Sequence, residues 1–299
     1  MPADRFYVIV NPAAGQGAAA RARALVDAEM ARVGAAHTIV QTARRGHAAE
    51  LAEAAARAGW PAVVAVGGDG TVHETVNGLM RAADGGPSVP LGIVGVGSGN
   101  DFAQLAGVPK DPAAAVRALV SAEPRTVDVG SVNGQWFSNG VGIGLDARVA
   151  IEVDRGRRFR GIFMYLDALA KVLRVFRPPH MTVEVDGVRL ADAPMTLVTV
   201  GNGGRHGGGF WICPDARIDD GVLDVCMCDG LGTLGILSFL PRVMRGTHTG
   251  AKCVHMHRAR RVRVTSPDPL PVHADGEIIA EAAREVDIEI HPGRLRVLA

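Results

Sequence analysis

The segment Ala62–Met80 reads AVVAVGGDGTVHETVNGLM, and its chemistry begins at Gly67-Gly68-Asp69-Gly70. Three glycines let backbone amides approach an anion closely, and a helix starting behind them adds the favourable end of its dipole. Asp69 stands apart in such a turn, because a carboxylate repels phosphate unless a metal ion or a reacting proton lies between them. The combination points to phosphoryl transfer and not to phosphate holding alone. Glycine and aspartate are also ordinary turn residues, so a single segment of this kind could simply close a tight turn. Two further segments, Asn11-Pro12-Ala13-Ala14-Gly15 and Gly97-Ser98-Gly99-Asn100-Asp101, weigh against that.

These residues need strands and helices to place them. Ala62–Val66 is a short apolar run that reads as a buried parallel strand. Thr71 and Glu74 have the spacing of a capping box, which predicts a helix starting there. Val72, Val76, Leu79 and Met80 recur at helical spacing and supply its apolar face. Strands are also expected at Phe6–Val10, His37–Thr42 and Leu91–Val96. Helices are expected to end near Gly34 and Ala58, and Asp111-Pro112 marks another helix start. This β-α repetition predicts a doubly wound parallel sheet, a nucleotide-binding domain over residues 1–124. Ligands collect at the carboxyl ends of strands in such sheets, and all three glycine-rich loops leave strand C-termini.

After Pro124 the pattern changes. Asn133-Gly134 and Asp186-Gly187 separate strand-like runs and are strong hairpin signals. Helices are expected over Phe159–Phe176 and Leu231–Arg245. Residues 125–299 therefore read as an antiparallel, β-sandwich-like second domain. Without an obvious linker, the two domains are expected to pack with a cleft, a preferred ligand site.

Composition sets the outer bounds. Of the 299 residues 47% are hydrophobic and 21% charged, as in a folded globular protein. The net charge of +1 gives no argument for a nucleic-acid partner. Cys226 and Cys228 alternate in LDVCMC as small core residues on one face, and a reducing cytoplasm is the expected compartment. A strand beginning at Phe6 leaves no room for a leader, and no apolar run approaches the ~18 residues that span a bilayer. No G-x-x-x-x-G-K-[ST] loop is present, so the glycine loops would have to do that work.

Seven segments in order carry a resemblance. Asn11–Gly15, Gly67–Gly78 and Gly97–Ala103 resemble the catalytic domain of the diacylglycerol kinase and sphingosine kinase superfamily, most closely its soluble bacterial lipid kinases. The likeness continues through Ser138–Asp146, Gly207–Gly209 with Pro214, Asp219–Asp224 and Asp275-Gly276-Glu277. It implies an ATP-dependent, Mg²⁺-dependent kinase that phosphorylates the free hydroxyl of diacylglycerol or a related lipid, met at a membrane surface.

The resemblance also implies residue roles. Asn11, Pro12, Ala13, Ala14 and Gly15 would form the first nucleotide loop, although Asn-Pro could be a plain turn. Thr42 would contact the nucleotide or merely cap a strand end. Gly68, Asp69, Gly70, Thr71, Val72, His73 and Glu74 would wrap the phosphates, and Ser98 would add a hydroxyl. Asp69, Asp101 and Asp128 resemble a carboxylate set that positions catalytic Mg²⁺, partly through water, while Asp101 could instead cap a helix. Asp220, with the carbonyls of Arg217 and Val222, resembles a structural Mg²⁺ loop or is a tight turn. Asp275 and Glu277 would be catalytic, with Glu277 as proton acceptor, although Asp275-Gly276 could be one more hairpin turn. Asp69 competes with Glu277 for the role of base.

Gly207–Trp211 is expected at the lipid entrance. The basic runs Arg155–Arg160, beside Ile162-Phe163-Met164, and His257–Arg263 could touch anionic membrane as a peripheral contact or be solvated faces. A NAD kinase, which shares the Gly-Gly-Asp-Gly turn, and a catalytically silent lipid-binding protein are the competing readings. None of the six asparagines precedes a glutamate, which counts against the first. A homodimer stays open.

Overall fold

The computed structural model describes residues 5–156 and 162–299. The chain forms two compact units, Met1–Val129 with Pro292–Ala299, and Gly130–His291.

In the first unit the order is β1 (Arg5–Val10), α1 (Ala18–Arg32), β2 (Ala36–Gln41), α2 (His47–Arg57), β3 (Val63–Gly67), α3 (Asp69–Ala82), β4 (Leu91–Gly95), α4 (Asp101–Leu105) and α5 (Pro112–Ser121). Strands β2, β1, β3 and β4 run parallel side by side. Their apolar runs are continuous because a parallel sheet is covered by its crossover helices, and Val8, Val10, Val63, Val64, Val66 and Leu91 are fully buried. Gly78 lets α3 approach α2: a Cβ there would lie 2.1 Å from the Ala49 carbonyl oxygen. Helix α5 starts as its sequence dictates, with the Asp111 carboxylate accepting from the Ala114 amide at 2.8 Å and Pro112 in the first turn.

The start of α3 departs from expectation. The helix begins at Asp69 with Gly68 as N-cap, and no side chain caps it. Thr71 Oγ1 instead accepts from Asn11 Nδ2 at 3.0 Å. Glu74 reaches to α2, accepting from the amides of Gly46 at 2.7 Å and Ala48 at 3.1 Å. The first amides of α2 lack partners within their own helix, so this carboxylate caps a neighbour and not its own helix.

The second unit takes in most of β5 (Arg125–Val132), then β6 (Gln135–Phe137), β7 (Gly140–Gly144), α6 (Leu145–Arg155), α7 (Ile162–Leu173), β8 (His180–Val185) and β9 (Val188–Gly201). It continues with β10 (Arg205–His206), β11 (Phe210–Trp211), β12 (Leu223–Asp229), α8 (Thr233–Met244), β13 (Val254–Ala259), β14 (Arg261–Ala274) and β15 (Glu277–Leu298). An antiparallel ladder runs β13-β12-β9-β7-β14. β8 pairs with both β9 and β14, and β15 pairs with β14. Phe137, Val141, Ile143, Val183, Val198, Val200 and Val264 fill the core between these strands.

The hairpin turns at Asn133-Gly134 (46° and 82°), Asp186-Gly187 (49° and 83°) and Asp275-Gly276 (52° and 86°) have both central residues at positive φ. That backbone matches strand twist and favours Asn, Asp and Gly. The end of β15 belongs to the first unit, where Val297 and Leu298 pair in parallel with Leu91 and Gly92.

Cys226 and Cys228 are buried with Cys213, Ile212 and Val254, and burial pushes both thiols up to about 12. In the second basic run, Arg261 and Arg263 pair with Asp287 and Glu285 on the neighbouring strand. Of the first run, Arg157, Arg158 and Arg160 lie outside the described residues, as do the side chains of Ile162, Phe163 and Met164.

Candidate active site

Three loops meet at the C-terminal ends of β1, β3 and β4, and glycine is what allows them to meet. A Cβ on Gly15 (φ 58°) would sit 2.2 Å from the Val96 carbonyl oxygen, and one on Gly97 would sit 2.7 Å from the Gly68 Cα. Asn11 ties the first loop together, its Oδ1 accepting from the Ala13 amide at 3.1 Å while its Nδ2 donates to Thr71. Asn100, the left-handed N-cap of α4, holds the third loop. Its Oδ1 accepts from the Gly97 amide at 3.0 Å, and its Nδ2 donates to the Gly97 carbonyl at 2.9 Å.

Asp69 joins the second loop to the third. Its two oxygens accept from successive amides, Asn100 and Asp101, each at 2.8 Å. Those amides open α4, so the carboxylate is oriented by charge-assisted bonds. Thr42 continues the β2 edge, its amide donating to the Val10 carbonyl at 2.9 Å, and Ser98 is exposed at the tip of the third loop. Thr71, Val72 and His73 are buried, Glu74 is committed to α2, and the amides of Thr71 and Val72 donate to the Gly68 carbonyl at 3.0 and 3.1 Å, which closes the turn at the start of α3.

The expected Mg²⁺ carboxylates are not arranged alike. Asp101 is 6% exposed, with the Asp69 carboxylate against its own amide. Two acids in one small space, both hard oxygen donors, fit a divalent cation that keeps part of its water shell. Asp128 is buried on β5 and accepts from the Gly293 amide at 2.8 Å, which anchors the returning C-terminal segment. Among the described residues no three of His, Cys, Asp and Glu form a direct metal cluster.

In the second unit, Asp275 holds the turn that carries Glu277. Its Oδ1 accepts from the amides of Asn139 at 2.8 Å and Gly140 at 3.0 Å, and its Oδ2 from the Ser138 amide at 2.9 Å. The Asp275 amide returns a bond to the Gly140 carbonyl at 2.9 Å. Asp275 is thus both the hairpin residue and a clamp on the start of β7. Glu277, half-buried, opens β15 opposite Ala274.

Beneath that turn lies a buried polar group that sequence reasoning missed. His273 Nδ1 accepts from the Gly276 amide at 3.3 Å, which leaves the proton on Nε2, 3.9 Å from Asp146 Oδ2. Asp146 also accepts from Thr199 Oγ1 at 2.7 Å and the Ala147 amide at 2.8 Å. The available signal was the alternation Gly140-Val-Gly142-Ile-Gly144. A Cβ on Gly142 would lie 2.2 Å from Asp146 Oδ2 and 2.3 Å from His273 Nε2, and one on Gly140 would lie 2.4 Å from His206 Cε1. Strand glycines of this kind mark a close approach.

Burial drives the charge states here. It pushes His206 and His273 down to about 4 and Asp146 up to about 7. Each histidine binds its proton more readily when unfolded, so its stabilisation is full above pH ~6.5 and drains as pH falls toward 4. Asp146 acts oppositely: its stabilisation is full below ~3.8 and drains as pH rises through 7. Between pH ~7 and ~5 the two histidines lose about 2 kcal/mol each while Asp146 gains about 2, so the wild type loses about 2 kcal/mol net. Asp146→Asn removes the opposing gain, and denaturant melts at the two pH values should show its acid loss steeper by about 2 kcal/mol. Equal slopes in both proteins would refute these charge states.

In the Arg217–Val222 loop, Asp220 Oδ1 accepts from the Val222 amide at 3.3 Å and Oδ2 pairs with Arg258. Gly221 takes φ 75° to close the turn. Nearby, Asp224 Oδ2 is buried without a hydrogen-bond partner among the described residues, 3.9 Å from Arg258 Nε. Burial raises the Asp224 carboxyl against the opposing pull of Arg258, with Asp220 and Asp215 adding to the rise. A buried carboxylate oxygen left unsatisfied beside a second carboxylate fits a cation in this loop.

Residues 5–132 match the family model of the diacylglycerol kinase catalytic domain, and residues 139–299 match that of the YegS C-terminal NAD kinase beta sandwich-like domain. The chain is similar to a diacylglycerol kinase of Mycobacterium tuberculosis, 32% identical over 300 residues covering 98% of this chain and 94% of the relative. Its fold is similar to the crystal structure of a diacylglycerol kinase from Bacillus anthracis, with a TM-score of 0.76 at 23% identity over 100% of this chain and 97% of that one. A yeast NADH kinase solved with NADH shares the fold more distantly, with a TM-score of 0.51 at 10% identity over 100% of this chain and 84% of that one.

Proposed function

The chain belongs to the family of the diacylglycerol kinase catalytic domain, in the form with a YegS-type second domain, and from that premise we propose that it transfers the γ-phosphate of ATP to the free hydroxyl of diacylglycerol or a related lipid. The observation that carries this reading is the Asp69 bridge, a carboxylate set among converging glycine loops and fixed to the first amides of α4. In this reading the triphosphate lies against the Gly68–Thr71 turn and the Asn11–Gly15 loop, where the start of α3 favours negative charge. Thr42 and Ser98 add contacts to the nucleotide. Asp69 and Asp101 would hold Mg²⁺, which when bound neutralises charge on the phosphoryl group being transferred. Glu277 takes the proton of the attacking hydroxyl. Residues 1–124 serve the nucleotide and residues 125–299 the lipid. Gly207–Trp211 borders the lipid, because a Cβ on Gly207 would lie 3.4 Å from the Tyr165 ring and the Phe210 ring lies 6.3 Å from that ring, an aromatic surface suited to acyl chains.

The test is transfer of labelled phosphate from ATP to separated lipid classes, with NAD⁺ as a competing acceptor. Label in a monoacyl- or diacylglycerol phosphate supports the reading. Label only in NAD⁺, or in no acceptor, overturns it.

The second metal loop yields its own prediction. A cation bound only by the folded form stabilises it through linkage. Mg²⁺ should raise the melting temperature of the wild type and do so less in Asp220→Ala, while nucleotide affinity hardly changes. Equal Mg²⁺ responses in the two proteins would make Asp220 a turn residue paired with Arg258 and nothing more.

A further inference from the structure

The two faces of α8 meet different surroundings. Ile236 packs with Leu145, Leu169, Val172 and Leu173, while Phe239 and Val243 pack on the cluster around Cys213 and Cys226. Those contacts account for the inward face. On the outward face Leu234 is 83% exposed, Leu237 46% and Met244 40%, with Pro241 exposed between them. Steps of three, four and three residues place all four in one stripe along the helix. Thr233 Oγ1 donates to the Leu173 carbonyl at 3.4 Å, which brings Val175, 79% exposed, to the start of the stripe. Trp211 lies against Gly246 at the other end. Single exposed leucines are ordinary, but a continuous apolar stripe marks a contact surface.

The charge beside the stripe selects the partner. Arg242 and Arg245 are exposed along its edge, and neither forms a salt bridge among the described residues. From Gly230 to Pro267 the chain contains no aspartate or glutamate. A protein partner reading the leucines would not need that exclusion of acids, whereas an anionic lipid surface does. No helix of the chain, among the described residues, is long and apolar enough to cross a membrane, and α8 has 12 residues. An apolar stripe of that length edged by arginines suits a helix lying in the interface.

We propose that the outer face of α8 docks this protein on an anionic bilayer, with Leu234 and Leu237 at the acyl boundary and Arg242 and Arg245 against lipid phosphates. The proposal rests on the lipid-kinase reading for its purpose, since such a substrate is met at a bilayer, but its test is separate. The full chain is sedimented with phosphatidylcholine vesicles and with vesicles in which a third of the lipid is phosphatidylglycerol. The wild type should partition onto the anionic vesicles. Leu234→Ser with Leu237→Ser should lower that partition at least ~10-fold, and Arg242→Gln with Arg245→Gln by roughly 30-fold, with no change on neutral vesicles. Turnover of a dispersed short-chain diacylglycerol should be unchanged in both variants, which also reports that they fold.

Equal vesicle partition of wild type and both variants overturns the proposal. A wild type that ignores anionic vesicles overturns it too. So does a wild-type dimer on gel filtration that the leucine variant turns into a monomer, because a second copy would then cover the stripe. Vesicle binding as expected without phosphorylation of the short-chain lipid would overturn the lipid-kinase reading and leave the docking surface standing.

Discussion

Asp69→Ala should lose more than 90% of kcat, a barrier increase above ~1.4 kcal/mol, with the fold retained. The side chain makes two hydrogen bonds to backbone amides. Removing it leaves the amides of Asn100 and Asp101 to water or unsatisfied, a cost of about 1–3 kcal/mol in stability. Such a loss moves the melting temperature without unfolding a chain of this size. The effect on turnover should be far larger, because the third loop is released at the same moment that a charge disappears beside the phosphates. Asp69→Asn separates the two causes. The amide keeps one acceptor for the clip but carries no charge. If Asn restores turnover, Asp69 is a clip between loops; if both variants are inert by steady-state kinetics, the negative charge itself is required. A variant Asp69→Ala with more than a tenth of wild-type kcat removes Asp69 from the chemistry altogether.

Residue type and spacing revealed the order of elements but not every partner. Apolar runs followed by glycine loops announced a parallel sheet, and Asn133-Gly134 and Asp186-Gly187 announced hairpins, because each is governed by local sterics. Glu74 misled because a capping box and a carboxylate reaching to a neighbouring helix have the same local sequence, and only tertiary placement of the Gly46 and Ala48 amides decides between them. The last strand is a case of distance. Residues 125–299 read as one antiparallel domain, yet Val297 pairs with Leu91, some two hundred residues earlier.

At the site, the glycines that permit close approach were visible, while what approaches them was not. Gly142 has no side chain to announce that Asp146 and His273 occupy its space. Asp275 carries the same ambiguity in sharper form: sequence allows a turn residue or a catalytic acid, and its carboxylate accepts from three consecutive amides, Ser138 to Gly140. A group so committed is suited to holding the turn in place, which shifts attention to its neighbour two residues on.

Glu277→Gln therefore tests the chemistry most directly. Glutamine keeps the length and hydrogen-bonding reach of the side chain but does not accept a proton as a base. Loss of a general base typically lowers the rate by ~10² to 10⁴. The turn itself should survive, since Asp275 and His273 hold it through the Asn139, Gly140 and Gly276 amides, which the substitution leaves in place. The loss should fall on kcat, with the KM values for ATP and lipid nearly constant, because an interaction made only in the transition state has been removed. The pH profile then divides the two candidate bases. Wild-type rate should fall on acidification as the base takes up a proton, and the variant should lack that limb. If the acidic limb persists in Glu277→Gln with near-normal kcat, Glu277 is only the first residue of a strand. The proton of the lipid hydroxyl must then pass to Asp69.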